Sequence, residues 1–461
     1  MERLTGILFT DKSLRCDVLA MTDSPSSAPQ HSQIRRITHL VFGFFAGQGA
    51  LQGITVIIGL FLIRALSVSD YARYGLASGF QATTSILMDL GCASTIIPLV
   101  GERALDPEVV GRYVRGARTL RNHAFWILSP IASVVFLIIT HRQKWPWPIQ
   151  IALLASVLTA LYSSGPLSYY AAPLFLHRRL RDFYMPQSIV GACRLLLYVV
   201  MSAVGALNSW TAAGLNALNI TANAKLLEMK AHRLLRWPTA NDPAIQKEIR
   251  SYVIPASPAI ILGAFHGQVA LFLIGIFGNT VSIAEVAALG RLGLLFNVLM
   301  TFNIVIVEPH IARLKRGRLL QTYLRFIAVA LVCCVALVAF SFSVPSVFLW
   351  LLGPKYGQLR SLIGWVVLTA CINYIAGLLW IMNRSRKWVF WRGTIAEISL
   401  LAIVQVGFLL IFGVRNTRSA IMFNFASSFC YVIAHLYVAI YGFLKGERAS
   451  PRESEILPIA P

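Results

Sequence analysis

Residues Leu60–Pro98 read LFLIRALSVSDYARYGLASGFQATTSILMDLGCASTIIP, two apolar runs joined by a short polar hairpin. The pattern returns in weaker form. Leu60-Phe61-Leu62-Ile63 reappears as Leu271-Phe272-Leu273-Ile274, an offset of 211 residues. Pro98, which closes the second run, has Pro309 at the same offset. A shared spacing at both ends of a helical hairpin, with no net insertion between, points to a duplicated half of the kind many secondary transporters carry. Chance is the competing reading, since leucine-rich sequences match one another easily.

The composition sets the class. Of 461 residues, 57% are hydrophobic and only 13% charged, about half the charged share of a soluble domain. Apolar stretches near 40–63, 75–100, 124–140, 149–175, 186–207, 210–229, 254–277, 280–307, 326–344, 362–382, 393–412 and 419–443 are mostly long enough to cross about 30 Å of hydrocarbon. They are continuously apolar rather than alternating, so helices are expected and a barrel is not. The expected fold is therefore an all-α polytopic membrane protein. It has about twelve transmembrane helices in two pseudo-symmetric six-helix bundles. The division expected is a disordered tail over 1–38, an N-lobe over 39–229, a cytoplasmic linker over 230–253, a C-lobe over 254–444 and a tail over 445–461.

A net charge of +22 could signal nucleic acid, but its placement argues otherwise. The N-tail, the connections after every even span and the C-tail hold 31 of the 41 Lys and Arg, while the opposite loops hold eight. That is the positive-inside bias, and it sets both termini in the cytoplasm. The charge is topological, and no nucleic-acid partner is expected.

Residues 22–33, TDSPSSAPQHSQ, are Ser/Pro/Gln-rich and read as disordered, and no cleavable signal peptide is visible. Six of the seven cysteines lie in spans, and no His/Cys cluster has metal-ligand spacing. No metal or other cofactor is expected. The outer loops are short, the longest, near 345–361, holds no carboxylate, and no GxxxxGK[ST] motif is present. A membrane glycosyltransferase or polymerase and an ATP-driven pump are thereby disfavoured. A non-enzymatic secondary transporter, flippase or channel remains.

Within the opening hairpin, Leu66-Ser67-Val68-Ser69-Asp70-Tyr71, then Tyr74-Gly75-Leu76-Ala77, then Asp89-Leu90-Gly91 resembles the first hairpin of bacterial polysaccharide (O-antigen and exopolysaccharide, Wzx-like) flippases of the MOP (MATE-like) superfamily. Leu352-Gly353-Pro354-Lys355-Tyr356 resembles their short motif ahead of the tenth span. Ala72 departs from the pattern, standing where the family usually has Gly. The resemblance implies a multi-pass protein of the bacterial inner membrane. It would translocate undecaprenyl-diphosphate-linked oligosaccharide by alternating access, with H+ or Na+ coupling and a polysaccharide polymerase as a further partner. A multidrug or other small-solute antiporter on the same scaffold is the first competitor, and it calls for an acidic cavity.

Such a substrate has an anionic diphosphate–sugar head that cannot cross hydrocarbon unaided. Arginine stays charged and grips phosphate oxygens in a fork. Ionisable groups inside spans usually face a cavity or a partner. That singles out Arg194 in the fifth span and Arg291 in the eighth as substrate-binding candidates, with Asp89 of the D-L-G motif beside them. The bland readings are snorkelling for Arg194, a neighbouring partner for either arginine, and for Asp89 an ion pair or the cap of a break near Gly91. Glu285, Glu397 and His266 are the candidates for coupling or protonation, against interfacial carboxylates and a core histidine. Arg112, Arg115, Arg118 and Arg121, spaced by three, are expected to form a basic stripe on the cytoplasmic leaflet.

Overall fold

A computed structural model describes residues 30–445, apart from 101, 102, 104, 105, 178, 238–241, 267, 315, 387 and 389. The chain before Gln30 and after Lys445 lies outside the described residues; of the tail expected to be disordered over 1–38, the part from Gln30 onward belongs to α1. The helices are α1 (Gln30–Ala65), α2 (Val68–Asp89), α3 (Ile96–Val100), α4 (Pro107–Arg142), α5 (Trp147–Tyr169), α6 (Ala171–Leu176), α7 (Leu180–Ala203), α8 (Ser209–His232), α9 (Pro243–His266), α10 (Val269–Phe277), α11 (Thr280–Phe302), α12 (Glu308–Arg313), α13 (Arg316–Ser343), α14 (Pro345–Leu352), α15 (Arg360–Ser385), α16 (Trp391–Ile411) and α17 (Thr417–Lys445). A π-helical turn, Asn303–Val307, leads into α12, and a 3-10 turn, Pro354–Leu359, leads into α15. No strand is present among the described residues. Among the described residues, eight helices are long and apolar enough to cross a membrane. Those that fall short include α2 and α8, whose polar residues face the cavity described below.

The element order repeats. α1, α2 and α3 are followed 212 residues later by the end of α10, by α11 and by α12: Val68 and Thr280 each open a helix, and so do Ile96 and Glu308. Local chemistry repeats with it. Ser67 caps α2 by accepting from the Asp70 backbone amide, and Asn279 caps α11 by accepting from that of Ser282. The two copies leave the helix differently. α2 ends in left-handed residues, Leu90 at φ 43° and Gly91 at φ 84°, whereas α11 widens into the π turn. The apolar run 75–100 is thus two helices and a turn rather than one span, because the Asp-Leu-Gly segment turns the chain out of the helix.

Packing divides the membrane-embedded part (residues 47–445) into two ends. At the end carrying the α1–α2 hairpin, one core runs across both halves and includes Leu62, Tyr71, Phe136, Ile274, Ala288 and Ile363. At the end carrying the basic connections there are separate cores. One is built on Ile96, Val110, Leu227 and Ile249, the other on Ile311, Tyr323, Leu379 and Met382. α9 bridges the halves at this basic end: Ile245 and Ile249 pack on Gly116 of α4, and Tyr113 donates to Glu248 at 2.7 Å. The stretch expected to be a surface linker is therefore docked on the N-terminal half.

The basic stripe also differs from expectation. It forms the start of the 36-residue α4, continuous with the third span. Arg112 pairs with Glu108 at 3.3 Å at the surface, but Arg121 is 2% exposed. Arg121 donates to the Leu161 carbonyl at 3.2 Å and to Ser164 Oγ at 2.9 Å. A spacing of three drifts around a helix, so the last member of the row turns into the protein.

Candidate functional site

The hairpin end is sealed by contacts between the halves. Lys355 Nζ donates to the carbonyls of Arg64 and Leu66, each at 2.8 Å, at the open C-terminal end of α1. Arg64 donates to the Trp350 carbonyl and lays its guanidinium 5.0 Å from the centre of that ring. Gln143 Nε2 donates to the carbonyls of Gly275 and Gly278 at 2.9 and 3.1 Å. Trp145 is buried and points its Nε1 at Thr280 Oγ1, 3.5 Å away.

Where the shared core gives way to the separate ones, a cavity of 780 Å³ opens between the halves. Both intramembrane arginines line it. Arg291 extends from α11 toward α1 and α2, where its Nε donates to Tyr71 Oη at 3.3 Å. Tyr71 in turn points at the Ala287 carbonyl, 3.5 Å away. Gly59 makes the room: a Cβ there would stand 3.4 Å from Arg291 Cδ. The aromatic residue of the L-S-x-S-D-Y motif thus orients Arg291, with Tyr74 as a second hydrogen-bond partner of the guanidinium. On the other side, Arg194 Nη1 donates to Asn216 Oδ1, and its guanidinium lies 6.0 Å from the Tyr198 ring. Arg194 Nε is buried with no partner among the described residues.

The rest of the lining is neutral. Gln81, Asn216, Gln268, Asn297, Asn373 and Asn424 supply carboxamides, and no Asp, Glu, Lys or His lies among the lining residues. The volume suits a headgroup-sized ligand. Two fixed cations without a carboxylate make the interior positive, so an anion is favoured there and a cation repelled.

The other sequence candidates lie elsewhere. Asp89 is not a lining residue. It ends α2, accepts from the backbone amides of Gly91 and Ala93, and sits within the field of Arg121. Its Oδ1 and the Nε and Nη1 of Arg121 are buried without hydrogen-bond partners among the described residues. Glu285, 8% exposed, accepts from Gln358 Nε2 at 3.1 Å and from Thr417 Oγ1, within the sealed end of the C-terminal half. Glu397 is half-buried on α16, near Tyr431. His266 ends α9, and its side chain lies outside the described residues. No group of three or more His, Cys, Asp or Glu among the described residues could hold a metal ion.

Removing one of two opposed buried charges leaves the other uncompensated, whereas replacing both is often neutral. Asp89→Ala is accordingly expected to destabilise the protein by about 3 kcal/mol, and Asp89→Ala with Arg121→Met to recover most of that. Unfolding in mixed micelles measures both; a double variant no more stable than the single one would show that the two charges are not coupled.

The comparisons agree with this geometry at the level of fold. No family model matches the chain, and no curated protein matches it in sequence. Among solved structures, the chain is similar to the lipid II flippase MurJ in an inward closed conformation. That match has a TM-score of 0.64 and 11% identity, and covers 87% of this chain and 89% of that one. It is also similar to the eukaryotic MATE transporter AtDTX14 (TM-score 0.62, 14% identity, 89% and 96% covered). A further match is a MATE protein in complex with MaD3S (TM-score 0.54, 17% identity, 89% and 95% covered). The fold is that of MATE transporters and of a lipid II flippase. At these identities the likeness is one of fold alone.

Proposed function

We propose that this protein is a flippase of the bacterial inner membrane. Its substrate would be undecaprenyl-diphosphate-linked oligosaccharide repeat units, moved by alternating access for assembly of a surface polysaccharide. The observation that carries this reading is the pairing of Arg194 and Arg291 in one cavity without a carboxylate in its lining. A diphosphate brings two or more negative charges and several acceptor oxygens, which such a pair of guanidiniums matches. Taking the basic end as cytoplasmic by the positive-inside rule, the halves are joined on the outer side. The cavity then belongs to the loading state, in which a headgroup enters from the cytoplasm while its lipid chain stays in the bilayer. Glu285 and Glu397 remain candidates for H+ or Na+ coupling, and a polymerase that consumes the delivered unit is the expected partner.

The same fold serves multidrug antiporters, and a cationic drug would need an acidic site. The neutral and cationic lining speaks against that use. Deleting the protein is expected to strand diphosphate-linked repeat units on the inner leaflet while leaving efflux of a cationic dye such as ethidium unchanged. Repeat units reaching the outer leaflet at the normal rate, together with lost dye efflux, would reverse the assignment.

A further inference from the structure

The two walls of the cavity differ in chemistry. Although Arg291 is carried by α11, its guanidinium reaches Tyr71 of α2 and the space left by Gly59 of α1. Arg194 stands on α7 beside Asn216 of α8. Both cations are therefore held against the N-terminal half. The facing wall, from the C-terminal half, carries three asparagines on three helices, Asn297 on α11, Asn373 on α15 and Asn424 on α17. Two aromatic rings stand with them. Phe296 and Tyr374 lie 6.2 Å apart at 48°, and the Tyr374 hydroxyl reaches Asn303 Oδ1 at 3.4 Å, which limits movement of its ring. Asn297 lies about 9 Å along α11 from Arg291, toward the basic end.

An asparagine side chain offers two donors and one acceptor and no net charge. A wall of three serves a ligand that both donates and accepts at several points around a neutral body. A sugar ring answers that description, with hydroxyls at its edge and C–H groups on its faces that lie flat against an aromatic ring. A cation finds no counter-charge there, and an apolar ligand would leave the amides unpaired. Among the described residues, the side chains of Asn297 and Asn424 make no hydrogen bond within the protein, so their capacity is turned to the cavity.

We propose that the juxtaposition of Asn297, Asn373 and Asn424 with Phe296 and Tyr374 forms a carbohydrate subsite. It would hold the sugar next to the diphosphate while the guanidiniums on the opposite wall hold the diphosphate itself. This assignment rests on the flippase reading above and extends it, dividing the headgroup between a charge-reading wall and a sugar-reading wall.

The test is binding by the full-length protein in lipid nanodiscs. The probes are farnesyl diphosphate and the same diphosphate carrying one N-acetylglucosamine or one galactose. With about three- to tenfold per amide hydrogen bond, at least one sugar-bearing probe is expected to bind the wild type about thirtyfold or more tighter than the bare diphosphate. Each of Asn297→Leu, Asn373→Leu and Asn424→Leu should reduce that gain about three- to tenfold. The triple variant should bind all probes alike, with affinity for the bare diphosphate unchanged, which also reports that it is folded. A triple variant that keeps the sugar-dependent gain overturns the subsite. So does a wild type that binds bare diphosphate but gains nothing from either sugar, and the diphosphate reading then survives alone. A wild type that binds no probe removes both.

Discussion

Arg291→Ala is expected to cut affinity for farnesyl diphosphate at least about a hundredfold and to stop export of the proposed lipid-linked substrate, with the protein still folded and present in the membrane. The size follows from the bonds lost. A charge-assisted hydrogen bond is worth about 1.5–3 kcal/mol, and a guanidinium fork on a diphosphate makes two. The fold should tolerate the change because Arg291 is held through two neutral hydroxyls, those of Tyr71 and Tyr74, of which Tyr71 keeps the Ala287 carbonyl within reach, and because no carboxylate among the lining residues is left without its cation. An unpaired arginine inside a membrane protein is an electrostatic liability, so its removal should leave stability unchanged or raise it. Arg291→Lys separates charge from geometry. It restores a cation but not the planar fork, and binding about tenfold weaker than wild type is expected. Isothermal titration of the two variants against the same probe measures this. Wild-type affinity in Arg291→Ala would remove the residue from the site, and a collapsed melting temperature would mark it as structural.

Arg194 and Arg291 were legible because a charge inside an apolar run is rare enough to stand out in one sequence, and the cost of burying it predicts a cavity or a partner. The hairpin and its repeat were legible because hydropathy and capping act locally: Ser67 and Asn279 cap their helices from within four residues. The carboxamides were not. Asn297, Asn373 and Asn424 each sit singly in an apolar helix, and only the packing of α11, α15 and α17 brings them to one wall. Arg121 was misread for a related reason. Its spacing from Arg118 fixes a direction on α4, but which direction is inward depends on where α5 lies, 40 residues on at Leu161. The bonds from Lys355 to the end of α1 join residues 289 and 291 positions apart, which no local pattern encodes.

Gly75→Leu is expected to prevent closure at the hairpin end, and with it the proposed loading state. Gly75 and Gly79 lie one turn apart on the face of α2 that meets the C-terminal half. A Cβ built on Gly75 would stand 2.6 Å from Ala287 Cβ, and one on Gly79 would stand 2.7 Å from Leu271 Cδ2 and Gln268 Oε1. Leu271 and Gln268 can turn aside, but Ala287 Cβ is fixed to the backbone of α11, so any side chain at position 75 must part the two helices. Small residues permit such approach between membrane helices. Overpacking costs about 1–3 kcal/mol, which shifts a two-state equilibrium about five- to 150-fold, and a protein that alternates between states of similar energy is sensitive to a bias of that size. Spin labels at the exposed positions Ser69 and Arg415, in a background without the exposed Cys193 and Cys333, report the separation of the halves at the sealed end. The longer distance should dominate in Gly75→Leu and be partly populated in Gly75→Ala. Gly53→Leu, where nothing lies within 4 Å, should leave the distribution alone. Ala287→Gly supplies the decisive arm, because deleting the facing methyl should return Gly75→Ala to the closed distribution. If it does not, the seal depends on something other than the contact of α2 with α11.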